Sequence, residues 1–350
     1  MVTEEHEILR STVREYVQKT LEPGALDIER DGLGEEIRKS VSAQGFLGAR
    51  ISSDLGGSDL DEAGYLILLD EIARASPSVS VDIMLLNSFF YPLASGSDEG
   101  RDAVKRVLSE GKGATVVLNT ILEGYRNEGE LMDGSSKITG VRDNVLNRNA
   151  AMSILDAGNG SLVLVDDASV FSKKDYSLGF RGLGMAKMEM RGTEFRTIAG
   201  KGAEHALDRA MNESDLAVSA IALGIISGCL QKGIDYSKVR KTFGQPLSAY
   251  QPVAFTLSSL KAEEELLRRT LYSGDLGEKE KLMLKISSLD LAKRASKYAL
   301  QVHGGYGYFE DFGVEKFYRD STALATLFGR SVRDMERLSH HIYGEKAGFL

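Results

Sequence analysis

Two segments carry the residue types most suited to chemistry. Arg240-Lys-Thr-Phe-Gly-Gln245 sets a permanent cation beside an aromatic ring and a glycine, and Gln301-Val-His-Gly-Gly-Tyr-Gly-Tyr308 sets three glycines in one short loop. A guanidinium takes phosphate through paired N–H donors, and glycine lets backbone N–H groups approach a ligand where a Cβ would obstruct. Together the segments suit a phosphorylated, planar ligand: Arg240 for phosphate, Phe243 for a ring, Gly304, Gly305 and Gly307 for close backbone contact. Taken singly, each also reads as ordinary structure. A Gly-Gly-x-Gly run between helices is a turn, and Gly244 after Arg240 is a helix stop.

Both segments sit in helical surroundings. Apolar residues recur at helical spacing from Ile8 to Val17, over Glu35–Ala43, Glu62–Ala75, Val79–Leu93 and Asp98–Leu108, with Gly111-Lys-Gly113 closing the unit. From Ala114 to about Thr197 the pattern changes to short β-rich runs broken by Gly, Asn and Asp, which predicts a small antiparallel domain. Helical spacing returns near Ala203. Leu216–Val239 is apolar nearly all round and belongs at the centre of a bundle or an interface. Pro252 opens the next helix, Glu278–His303 leads into the glycine loop, and Val314–Leu327 and Ser331–Tyr343 finish the chain. The expected fold class is α+β multidomain: an N-terminal helical bundle (1–113), a small middle antiparallel β domain (114–200) and a C-terminal four-helix-type bundle (201–350).

Composition narrows the partners. The 350 residues carry a formal net charge of −8, which argues against nucleic acid or an anionic membrane. The N-terminus is acidic with no apolar signal-peptide core, and no apolar run reads as the ~18 residues of a membrane span, so a cytoplasmic protein is expected. Cys229, the one cysteine, reads as a buried thiol. His303 reads as a loop or capping residue, His340-His341 as part of a polar helix, and Glu263-Glu264-Glu265 as a solvated helix face. No sequence cluster has metal-ligand spacing.

The order of elements and several spaced motifs resemble the acyl-CoA dehydrogenase family. Ala43-Gln-Gly-Phe-Leu-Gly48 with Asp54-Leu-Gly-Gly-Ser58 is similar to its N-terminal signature, Arg240 through Gln251 to its RxxFGxxxxxxQ stretch, and Gln301-Val-His-Gly-Gly-Tyr-Gly307 with Val314-Glu-Lys-Phe-Tyr-Arg-Asp320 to its QxxGGxG…VExxxRD stretch. The resemblance implies FAD gripped across a subunit boundary. Arg240 would take the pyrophosphate, Phe243 and Gln251 the nucleotide half, Thr242 would also bind the cofactor, and Gln301, Gly304 and Gly305 would touch it by side chain and backbone. It implies a homo-oligomer, a dimer or a dimer of dimers, an acyl-CoA-like substrate, and an electron-transfer flavoprotein as partner. The implied activity is α,β-dehydrogenation of an acyl thioester in fatty acid metabolism, with hydride passing to FAD.

The catalytic carboxylate departs from the pattern. The commoner family position, in a YEGT motif, falls on Phe328, and the Thr after it on Arg330. The alternative, near the start of the C-terminal bundle, falls on Ser214, with Glu213 and Asp215 on either side; Glu213 is the candidate base, although acidic and Asn or Ser residues there also read as helix caps. The flavin-side strand LTEP corresponds to Leu118-Asn-Thr-Ile-Leu122, and the WITN stretch to Asn144-Val-Leu-Asn147, in a chain without tryptophan. Two further readings follow: a non-catalytic FAD-binding or scaffold subunit of a mixed oligomer, and a flavin oxidase or monooxygenase on the same fold.

Overall fold

The computed structural model describes residues 2–117, 137–157, 160–166, 170–175, 177–200, 203–329 and 331–344. They organise into two compact units, each assembled from segments distant in sequence: Met1–Leu26 with Leu66–Pro77 and Asp215–Leu350, and Asp27–Tyr65 with Ser78–Ser214. The partition at 113 and 200 drawn from sequence follows chain order, whereas these units follow packing.

The first unit is helical. α1 (Glu4–Tyr16) starts at Thr3, whose hydroxyl accepts the His6 backbone N–H while the His6 ring accepts from the Thr3 N–H, a reciprocal capping box. A π-helical turn (Val17–Leu21) joins it to α2 (Glu22–Asp31), which the Pro23-Gly24 pair concealed in the sequence although proline is tolerated in a first helical turn. α4 (Glu62–Ala73), α9 (Asp215–Val239), α10 (Gln251–Leu271), α11 (Glu278–His303), α12 (Glu315–Phe328) and α13 (Ser331–Tyr343) complete the set, with α9 packed on α10, α11 and α12.

α9 is the buried axis expected from its all-round apolar pattern. By length and composition it also meets the requirement for a membrane span, which corrects the sequence expectation that no run does. Its apolar window is 78% buried within the protein, so packing consumes that surface. A small residue allows the contact with α4: a Cβ on Gly224 would stand 2.4 Å from the Asp70 carbonyl oxygen, a separation backbone cannot relieve. Only glycine lets the two backbones approach this closely.

The second unit holds α3 (Glu35–Ala43), α5 (Pro77–Met84, from Ser78), α6 (Tyr91–Ala94), α7 (Asp98–Glu110), α8 (Glu204–Glu213) and two sheets. One sheet has the order β1 (Gly113–Val116), β3 (Ala150–Asp156), β4 (Leu162–Val165), β7 (Arg196–Ala199); the other has β2 (Lys137–Leu146), β6 (Met185–Glu194), β5 (Phe171–Asp175). β1 pairs with β3 in parallel, Ala114 opposite Met152, so the first sheet is mixed rather than antiparallel throughout; the other described pairs in the two sheets are antiparallel as expected. Ile138 and Val145 from β2, Leu155 from β3, Val163 and Val165 from β4, and Met188 and Met190 from β6 meet in one apolar core. The burial of alternate residues along β2 and β6 is the period-two pattern that puts them there.

Candidate functional site

α9 stops at Val239, and Arg240 opens a two-strand hairpin, β8 (Lys241–Thr242) against β9 (Gln245–Pro246). The two turn residues, Phe243 (φ +46°) and Gly244 (φ +87°), both have positive φ, as the tightest hairpins require. Gly244 is thus a turn residue and not the helix stop expected from sequence. The Tyr250 hydroxyl donates to the Thr242 carbonyl at 2.7 Å, and the Leu247 N–H to the Arg240 carbonyl at 2.8 Å, fixing the hairpin to the start of α10. Phe243 at the tip is 95% exposed.

The glycine loop follows α11. Gly304 has φ +58° and ψ −137°, a conformation open to glycine alone, and it turns the chain into a short 3-10 segment, Gly304–Tyr308. A Cβ on Gly304 or Gly305 would meet no atom within 4 Å, so the backbone of this turn faces open space. His303, just before it, is buried. Its Nδ1 lies 2.8 Å from the Ala299 carbonyl oxygen and must carry the proton, since a carbonyl only accepts. Its ring stacks on Tyr236, with centroids 4.3 Å apart, and burial pushes its pKa down, with Lys232's charge acting in the same direction. The capping role expected of His303 is this bond back into α11.

Arg240, Thr242, Gly304 and Gly305 line one cavity of about 480 Å³, together with Tyr236, Leu247, Val302, His303, Tyr306 and Phe309. Two sequence segments some sixty positions apart therefore converge. The Arg240 guanidinium carbon lies 5.6 Å from the Tyr306 ring centre, and the group forms no ion pair among the described residues. Gln251 and Gln301 are exposed on the first turn of α10 and the last turn of α11, and neither lines the cavity. The aromatic lining from Tyr236, Tyr306 and Phe309 was not singled out from sequence. The tyrosines and phenylalanine flanking the glycines were the available signal.

At the alternative carboxylate position the helix breaks. Ser214 ends α8, its hydroxyl donating to the Met211 carbonyl at 2.8 Å, and α9 begins at Asp215. The Asn212–Asp215 stretch read as a helix start is therefore the junction of two helices. Glu213 is exposed on the last turn of α8 and has no ion pair among the described residues. Asp215 is buried and taken by Lys285 at 2.9 Å and Arg337 at 3.3 Å. At the commoner position Phe328 is 0% exposed in the core. Leu118–Leu122 and Arg330 lie outside the described residues. Asn144 and Asn147 both have positive φ at a bulged end of β2, and Asn147 is buried between Asp82, 2.7 Å from its Nδ2, and Arg38, which donates to its Oδ1 at 2.8 Å.

One acidic residue corrects its sequence reading outright. Glu264 is 0% exposed, bonded by Ser227, Lys261 and Arg268, and Arg268 also pairs with Asp70 on α4. It is part of the bundle's interior and not a solvated face.

The chain belongs to the acyl-CoA dehydrogenase family. Residues 3–111 match the model of the acyl-CoA dehydrogenase N-terminal domain and residues 200–342 that of its C-terminal domain, so the matched spans flank the sheets. Among its relatives, an acyl-CoA dehydrogenase of Bacillus subtilis (strain 168) is 27% identical, covering 96% of this chain and 97% of that protein. The CarC subunit of a caffeyl-CoA reductase–Etf complex from Acetobacterium woodii is 26% identical, covering 94% and 96%. The fold is similar to that of butyryl-CoA dehydrogenase from Megasphaera elsdenii, with a TM-score of 0.83, 21% identity, and 98% and 99% of the two chains covered.

Proposed function

We propose that this chain is a flavoprotein oxidoreductase that carries FAD across the boundary between two of its own copies and acts on an acyl thioester. The observation that carries the reading is the convergence of Arg240, Thr242, Gly304 and Gly305 on one cavity. These residues fit the phosphate half of FAD. A guanidinium without an acidic partner is left for phosphate, and two glycines offer backbone with nothing over it. Phe243 stands free to pack on a ring from another subunit. Exposed Gln251 and Gln301 suit contact with a ligand held mainly by a neighbouring copy.

Bound FAD would supply a hydride acceptor. The chain must supply a base for the α-proton, and Glu213 is assigned that role because, of the two acids at the α8–α9 junction, Asp215 is already committed to Lys285 and Arg337. The relative named as part of a reductase–Etf complex supports an electron-transfer flavoprotein as the redox partner. The test is a visible spectrum of the purified protein followed by anaerobic addition of acyl-CoA. Flavin absorbance that bleaches is expected, and Glu213→Gln should abolish the bleaching while leaving flavin content unchanged. Bleaching that survives in Glu213→Gln removes it as the base.

A second reading is favoured by Phe328, since a core phenylalanine holds the commoner carboxylate position. In that reading the chain lends its hairpin and glycine loop to the FAD of a homologous partner and has no competent site of its own. Flavin found only after co-purification with such a partner, with no bleaching by the homo-oligomer, would establish it.

A further inference from the structure

A second cavity in the helical unit, about 660 Å³, is walled by α1, α2, α4, α9, α10 and α12 and shares no residue with the Arg240 cavity. Its volume lies within the range of small-molecule sites. Its lining includes Lys232 on α9 and Lys316 on α12. Lys316 is 2% exposed, and its Nζ has no hydrogen-bond partner and stands 4.7 Å from the centre of the Phe317 ring. Lys232 donates to the Phe312 carbonyl at 3.3 Å and forms no ion pair among the described residues. Burial pushes the Lys232 ammonium down, and the charge of Lys316 adds to the effect. Lys232 itself is exposed at the cavity's edge, so the demand for an anion comes from Lys316, a buried cation without a hydrogen-bond partner beside a second positive charge.

Among the described residues no carboxylate forms an ion pair with either ammonium. Glu71 is taken by Arg10, Arg14 and Arg74, at 3.3, 2.8 and 3.1 Å. Asp235 serves Gln231 and Lys238, and Glu315 pairs through Oε1 with Arg319 at 3.0 Å while its buried Oε2 has no hydrogen-bond partner. Glu22 and Asp311 also line the cavity, but both are exposed, where solvent screens them. Glu22 and Glu315 favour the charged form of Lys232 without contacting it.

We propose that this cavity binds a small phosphate-bearing molecule, its phosphate between the Lys316 and Lys232 ammonium groups and its remainder against Val17, Ala25 and Phe317. Phosphate matches two point-charge cations because its own charge near neutral pH is about −1.5 to −2. The site is independent of the FAD reading.

The test is calorimetric titration of the flavin-loaded protein, in a phosphate-free buffer of fixed ionic strength, with inorganic phosphate and with phenyl phosphate. One saturable site per chain is expected. Lys316→Met and Lys232→Gln should each weaken it at least tenfold, while Lys293→Gln, exposed on α11 and outside both cavities, leaves it unchanged. Without phosphate, Lys316→Met should melt no lower than the parent protein, since it removes an unpaired buried charge. If that variant does not fold, Lys232→Gln decides alone. Tighter binding of phenyl phosphate than of inorganic phosphate identifies a phosphate ester as the ligand; equal affinity identifies free phosphate. Absence of saturable binding, parental affinity in Lys232→Gln, or loss of binding in Lys293→Gln overturns the proposal.

Discussion

At the scale of single residues, Arg240 is the group on which cofactor retention should turn. A hydrogen bond to a charged group contributes about 1.5–3 kcal/mol, roughly a ten- to hundredfold change in affinity. Arg240→Ala should therefore lower FAD affinity by that factor without disturbing the fold, because the exposed side chain stacks on Tyr306 and makes no ion pair among the described residues. Arg240→Lys should recover part of the loss, keeping charge but not the planar fork. The ratio of flavin to protein absorbance after gel filtration reads both. Arginine and glycine were legible here because their chemistry is intrinsic to the residue type. Glu264 was not, because consecutive residues on a helix point ~100° apart. Of three glutamates in a row, the middle one turns toward Ser227 and Arg268 and is buried, while Glu263 pairs at the surface with Arg294. Nothing in a run of identical letters says which member faces inward. Phe328 shows the converse. Its mismatch to the family motif was visible in sequence, but only packing shows that the position has become core.

At the scale of elements, the helices were read well where capping and periodicity agree. Glu35–Ala43, Glu278–His303 and Ser331–Tyr343 have the bounds their sequences indicate. β3 has no alternating signal of its own, because Ala150-Ala-Met-Ser-Ile-Leu-Asp156 is buried on both faces for most of its length and lacks the pattern that marks a half-exposed strand. The hairpin after α9 was missed because its strands are two residues each, and the positive φ at Phe243 and Gly244 reveals the turn only in the structure. What holds α13 to the bundle was also hidden. Lys285 of α11, 1% exposed, bridges Asp215 of α9 and Asp334 of α13 at 2.9 and 2.7 Å. Burial pushes the Asp334 carboxyl up even against the pull of Lys285. Removing one partner of such a cluster strands the others without compensation, at a cost of about 3–5 kcal/mol. Lys285→Ala should lower the urea-unfolding free energy by that amount. A loss below about 1 kcal/mol would show that Arg337 alone can satisfy both carboxylates.

At the scale of the whole molecule, one group of exposed apolar side chains gathers at the Arg240 cavity, while Ile8, Leu178, Val332, Ile342 and Tyr343 are also more than half exposed elsewhere. Val239, Phe243, Phe255, Tyr308 and Phe309 are all more than half exposed, and all belong to the elements that carry or flank the Arg240 cavity. Apolar surface gathered around a binding cavity marks an association surface more than chance scatter. The segments proposed to hold FAD and the segments proposed to hold a second copy are thus the same, so the two properties should be lost together. Phe243→Asp puts a charge where an aromatic anchor would be desolvated. Truncating an anchor of this kind costs about 2 kcal/mol or more, roughly thirtyfold in dissociation constant, and a carboxylate adds its own desolvation penalty. The turn itself tolerates the change, since aspartate accepts positive φ better than phenylalanine. Light scattering coupled to gel filtration should show the parent as an oligomer carrying flavin, and Phe243→Asp as a folded chain of lower mass with its flavin lost. Flavin retained in a dissociated chain would place the whole cofactor site within one copy. An intact oligomer that has lost flavin would confine the hairpin to ligand contact and put the subunit boundary on another surface.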